Sequence, residues 1–113
     1  MKTIIAGSRH IVDIEPVWNA VRDSNFWVTE VVSGAAKGVD ALGEQYGEFH
    51  KIPVTRFPAD WDTHGRAAGP IRNEIMALYA EALILVWDGE SRGSANMKMN
   101  AERYGLRIYE VIL

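Results

Sequence analysis

Residues 82–97 read ALILVWDGESRGSANM. The six residues Ala82–Trp87 form an apolar run with no polar break. Such a run marks a strand buried on both faces, as in the middle of a parallel sheet. It gives way to Asp88, Gly89, Ser91, Arg92, Gly93, Ser94 and Asn96, and then to a helical segment. Small, hydroxyl and cationic residues where a strand hands over to a helix suit a turn that holds a phosphate, because free amides at a helix start favour an anion.

Outward from this turn, strand-like and helix-like segments alternate. The pattern predicts strands near Thr3–Gly7, Val28–Ser33, Pro53–Phe57, Ala82–Trp87 and Leu106–Ile112. It predicts helices over Ile14–Ser24, Val39–His50, from Pro70 onward and over Ser94–Tyr104. Asp13 is placed to cap the first helix. Ile14, Val17, Trp18 and Val21 recur at helical spacing, as do Val39, Leu42, Tyr46 and Phe49 in the second. Ile71, Ile75, Leu78 and Tyr79 read as the apolar side of the third, and Met97, Ala101 and Tyr104 as that of the fourth. Ser94 is the expected N-cap of that last helix and Gly105 its closing glycine. Ala59–Gly69 reads as a long polar loop.

Five strands alternating with four helices imply an α/β, Rossmann-like three-layer sandwich. The expected parallel sheet has the order 3-2-1-4-5, in one domain spanning residues 1–113. Ligands in such sheets bind beyond the carboxyl ends of the strands, where the strand order reverses. The residues to inspect there are Gly7, Ser8 and Arg9 after the first strand and Asp88 and Gly89 after the fourth.

Four turns carry the candidate ligand-binding residues. Gly7-Ser8-Arg9 offers donors to an oxyanion. Ser33, Gly34, Gly38 and Asp40 lie where the second strand meets its helix, and Asp40 either answers the helix dipole or holds a ribose hydroxyl. Arg72 and Asn73 sit near a helix start, where a cation is unfavourable unless an anion offsets it. Arg92, Gly93 and Ser94 complete the set, with Asp88 and Gly89 beside them. Asp88 either bonds a sugar or caps a turn. Of twelve Lys and Arg, five (Arg9, Lys37, Arg66, Arg72 and Arg92) fall in or beside these loops. In a chain of net charge −3 that concentration predicts a local positive basin. Trp61 and Trp87 are either base-stacking platforms or core and rim residues.

Other classes are disfavoured. The chain has no cysteine, its three histidines are scattered, and no metal-ligand spacing occurs, so no metal is expected. The acidic balance argues against a nucleic-acid polymer as partner. No apolar run approaches the roughly 20 residues that span a bilayer, and the N-terminus is too short for a signal peptide, so a cytoplasmic protein with no membrane partner is expected. A serine-hydrolase elbow is missing.

The stretches SGAAKGVDALGEQYG (33–47), FPADW (57–61) with AAGPIRNEIM (67–76), and WDGESRGSANMKMNA (87–101) resemble the YspA-like, YpsA-related branch of the SLOG superfamily. The resemblance implies a Rossmann-like fold that binds nucleotides or their derivatives, and occurrence in phage and bacterial conflict systems. More distantly, the chain is similar to the cytokinin-activating "lonely guy" phosphoribohydrolases, which cut the N-glycosidic bond of nucleoside monophosphates. Their helix-three arginine resembles Arg72, and the likeness implies a phosphate-holding role for Gly93 and Ser94. It also puts Met97 where those enzymes carry a catalytic glutamate, and a thioether cannot serve as acid, base or nucleophile. Asp40, Glu44 or Glu74 would have to substitute. The expected function is therefore to sense or sequester a nucleotide-like phosphate ligand, with no further cofactor required. The alternative is an N-glycosidic hydrolase or transferase. The residues leave the oligomeric state open; related proteins are often dimers, so the resemblance adds a homodimer as one option.

Overall fold

The computed structural model describes residues 1–113. Five strands, β1 Lys2–Gly7, β2 Glu30–Ser33, β3 Val54–Arg56, β4 Ala82–Trp87 and β5 Arg107–Ile112, form a wholly parallel sheet in the order β3-β2-β1-β4-β5. The helices are α1 Ile14–Ser24, α2 Val39–Phe49, α3 Trp61–His64, α4 Ala68–Tyr79 and α5 Arg92–Arg103, with a 3-10 turn at Gly65–Ala67.

Period-two alternation sorts the strand side chains between two cores. Ile5, Val31, Ile84 and Val86 pack against Val17, Ala20 and Val21 of α1 and Val39 and Leu42 of α2. Ile4, Ala6, Val32, Leu83 and Leu85 pack on the other face against Met76 and Ala77 of α4 and Met97 and Ala101 of α5. Every residue of β4 is buried, as its unbroken apolar run requires. The fold expected from the alternation of segments is the fold observed.

Four local readings need correction. Residues 59–69 are not a structureless loop: Asp60 caps α3 by accepting from the Thr63 N–H at 3.2 Å, and the 3-10 turn leads directly into α4. A four-residue helix has too few positions to show a period. Consequently α4 begins at Ala68 rather than Pro70. Ile71, Ile75 and Leu78 lie on its exposed side, because α4 turns its small and amide face, with Gly69, Asn73 and Ala77, inward. Phe49, which shares helical spacing with Val39, Leu42 and Tyr46, is 70% exposed at the end of α2. Finally, the cap of α5 is Ser91, whose hydroxyl accepts from the Ser94 N–H at 3.3 Å, so Ser94 lies inside the helix as its third residue. Asp13 does cap α1, accepting from the Glu15 N–H at 3.1 Å.

The turns after β1 and β4 are tied to each other. Gly7 pairs in register with Val86, the Ser8 N–H donates to the Val86 carbonyl at 3.2 Å, and the Asp88 N–H donates to the Ser8 hydroxyl at 3.0 Å. The start of α2 is pressed against the same place. Gly38 has φ +74°, and a Cβ on it would lie 2.4 Å from the Ser8 carbonyl oxygen and 2.5 Å from that of Arg9. Only glycine fits there.

Candidate functional site

A cavity of about 500 Å³ opens at the carboxyl end of β1, between the starts of α2, α4 and α5. Nine of the expected ligand-binding residues line it: Gly7, Ser8 and Arg9 from the first turn, Asp40 from α2, Arg72 and Asn73 from α4, and Arg92, Gly93 and Ser94 from α5. Arg66 joins them from the 3-10 turn and Trp61 from α3. Four arginines therefore face a single carboxylate, that of Asp40. Of the five loop cations named from the sequence, Arg9, Arg66, Arg72 and Arg92 line this cavity and Lys37 does not.

Five expected residues do not line this cavity, and each has another task. The Ser33 hydroxyl donates to Glu44 at 2.6 Å and accepts from the Ala35 N–H at 3.0 Å. Gly34 leaves room for Asp40 and Arg72, and Gly38 for the first turn. Asp88 is a turn cap: its Oδ1 accepts from the Glu90 and Ser91 N–H groups at 2.8 and 2.9 Å, which also hold its pKa below the ordinary value. Gly89, with φ +83°, completes that turn. The sequence had left Asp88 open between a sugar ligand and a turn cap, and these bonds are those of a cap.

The three candidate catalytic carboxylates separate in the same way. Glu44 accepts from Ser33 and, at 3.2 Å, from Nε of Arg56. Glu74 accepts from the Tyr104 hydroxyl at 2.7 Å and lies 3.6 Å from Arg103. Neither lines the cavity. Asp40 does, buried in the first turn of α2, where its Oδ2 accepts from the Ala36 N–H at 3.2 Å. Burial raises its pKa from 3.8 to about 6; the Ala36 N–H, Arg72 and Arg9 pull it down, and Glu44 pushes it up.

Arg72 is more constrained than its sequence position announces. Its Nη1 donates to the Gly34 carbonyl and, at 3.4 Å, to that of Phe57, while its Nε donates to Oδ1 of Asn73 at 2.9 Å. It therefore joins the ends of β2 and β3 as well as facing the cavity. Asn73 in turn donates through Nδ2 to the Gly93 carbonyl at 3.3 Å and to Oδ1 of Asn96 at 3.0 Å. Asn100 donates to the same Asn96 oxygen at 3.2 Å. This amide relay, which links α4 to the start of α5, was missed because single asparagines carry no spacing signal. The cap Ser91 was missed because Ser94 satisfies the same sequence rule.

The α5 end of the cavity carries a buried polar group without a protein partner. Ser94 is 4% exposed and its hydroxyl has no hydrogen-bond partner. A buried polar atom of that kind costs free energy unless something bonds it. The amides of Arg92 and Gly93, first in a helix of twelve residues, have no intrahelical acceptor. Met97, one turn further on and 2% exposed, closes the floor as part of the core.

A family model described as "YspA, cpYpsA-related SLOG family" matches residues 1–64. The chain belongs to this SLOG family. The matched span carries the first turn and the Gly34–Asp40 turn, while the α4 and α5 walls of the SLOG cavity lie beyond it. The chain is also 28% identical over 116 residues to the Gene 61 protein of Mycobacterium phage D29, across 95% of this chain and 93% of that protein. A phage relative accords with the occurrence that the family resemblance implied. No solved structure matches the chain. No helix is long and apolar enough to cross a membrane.

Proposed function

We propose that this SLOG protein captures the phosphate of a nucleotide or nucleotide-derived ligand at the start of α5, and senses or sequesters that ligand without turning it over. The carrying observation is the buried, unpartnered Ser94 hydroxyl, set beside the free first amides of α5 in a cavity lined by four arginines. A phosphate supplies the missing acceptor, accepts from the amides along the helix dipole, and is neutralised by guanidinium groups. Family membership supports a nucleotide-related ligand. Calorimetry with nucleoside monophosphates tests the reading. Arg92→Ala is the suitable variant, because Arg92 is exposed while Arg72 also braces the backbone. Micromolar-range binding that weakens in Arg92→Ala supports the reading. No binding, or unchanged affinity in the variant, opposes it.

One observation favours a second reading. Asp40 is the sole carboxylate of the cavity, with a pKa raised to about 6, in the range useful for proton transfer near neutral pH. On that reading Asp40 takes a proton from water as its oxygen attacks the sugar carbon, and the base leaves with the electron pair of the N-glycosidic bond. Chromatography after incubation with nucleoside monophosphates separates the two. Free base that disappears in Asp40→Asn assigns cleavage, and none across a broad panel leaves the binding reading alone.

A further inference from the structure

Trp61 is out of place as a packing residue. It is 51% exposed and belongs to neither core cluster. Its ring has no aromatic neighbour and no cation over it, unlike Trp18, which sits among Tyr46, Phe49 and His50. Yet it lines the arginine-rich cavity, where it is the only Phe, Tyr or Trp. Its placement is specified locally. Asp60 caps the short helix that carries it, and the indole edge lies beside the first turn of α4, where a Cβ on Gly69 would stand 3.5 Å from it, at ordinary contact distance.

An unpaired indole wastes apolar surface on a polar cavity unless a flat apolar group covers it. The same cavity presents the anion-binding start of α5. A molecule that satisfies both ends carries a phosphate and an aromatic base. We infer that Trp61 is the platform on which the base of the ligand stacks, so that the cavity selects nucleotides over sugar phosphates and free phosphate. This inference rests on the phosphate reading above and adds the second half of the ligand. Stacking tolerates any base, because every base has a π face, and one stack contributes about 1–3 kcal/mol.

Calorimetry on the full chain tests it with three probes: inorganic phosphate, ribose 5-phosphate and the four common nucleoside 5′-monophosphates. The best monophosphate is expected to bind at least about tenfold more tightly than ribose 5-phosphate. Trp61→Leu, which keeps an apolar side chain beside Gly69, is expected to erase that gap while leaving ribose 5-phosphate affinity unchanged. Trp61→Phe is expected to retain most of it. Equal affinities of the wild type for ribose 5-phosphate and every monophosphate would overturn the inference, as would a Trp61→Leu variant that weakens both alike. If no phosphate-bearing probe binds the wild type, the phosphate reading fails and this one fails with it. Phosphate binding without a nucleotide advantage removes the stacking role alone.

Discussion

Asp40 and Arg72 flank the space that a side chain at residue 34 would fill: a Cβ on Gly34 would lie 2.8 Å from Oδ2 of Asp40 and 2.9 Å from Nη1 of Arg72. Neither side chain is free to swing away, because Asp40 accepts from Ala36 and Arg72 donates to two backbone carbonyls and to Asn73. Gly34→Ala is therefore expected to cost about 1–3 kcal/mol through overpacking and to weaken nucleotide binding as well. Urea unfolding and calorimetry on the one variant check both. A variant with wild-type stability and affinity would show that the pair is looser than its bonds imply.

Asp40 gives stability a pH dependence of definite sign. Its folded pKa, about 6, stands above the ordinary 3.8, so the folded protein holds this proton more tightly than the unfolded chain does. The linked stability is fully present below pH 3.8 and is lost as pH rises through about 6. The loss is on the order of 3 kcal/mol. An asparagine keeps an oxygen for the Ala36 N–H and has nothing to ionise. Asp40→Asn is therefore expected to flatten the fall in urea midpoint between about pH 4 and about pH 7. Parallel pH profiles for the two proteins would contradict the assignment.

The Ser94 hydroxyl predicts an unusual dissociation of stability from binding. Removing an unpartnered buried hydroxyl costs the free protein nothing and stabilises it by up to ~1 kcal/mol. A hydrogen bond to a charged acceptor, by contrast, contributes about 1.5–3 kcal/mol. Ser94→Ala is thus expected to unfold at the same urea concentration as wild type or a higher one, and to bind phosphate ligands about tenfold or more weakly. Loss of stability with unchanged affinity would place the hydroxyl in a structural role instead.

Asn73 joins Arg72 to the Gly93 carbonyl, and so couples two walls of the cavity. Asn73→Ala removes three part-buried hydrogen bonds, to Arg72, Gly93 and Asn96, at a cost of about 3 kcal/mol. The melting temperature should fall by on the order of 10 °C. Calorimetric melting of the variant checks this, and a shift of a degree or two would show that water replaces the relay.

The sheet order and the convergence of turns were legible because they follow from long-range rules. The run Ala82–Trp87 names a central strand, and alternation with helices leaves few topologies. The glycine-rich ends of β1 and β4 then had to meet at the reversal of strand order, where Ser8 and Asp88 do hydrogen-bond. What escaped was local. Ser91 and Ser94 satisfy the same capping rule, and only backbone geometry chooses between them. Ile71, Ile75 and Leu78 have the spacing of a buried stripe, but α4 turns inward on Asn73 and small residues, whose partners lie on a different helix. Asp88 and Arg72 had the residue types of ligand contacts, yet their bonds to turn amides and strand-end carbonyls show only in three dimensions.

The most direct test is a crystal structure of the full chain grown with a nucleoside monophosphate at saturating concentration. The expected result is a phosphate at the start of α5, with one oxygen within hydrogen-bond distance of Ser94 Oγ and another facing the Gly93 amide. Density for the ligand at any other surface, or an α5 start holding only water at that concentration, would contradict phosphate capture there.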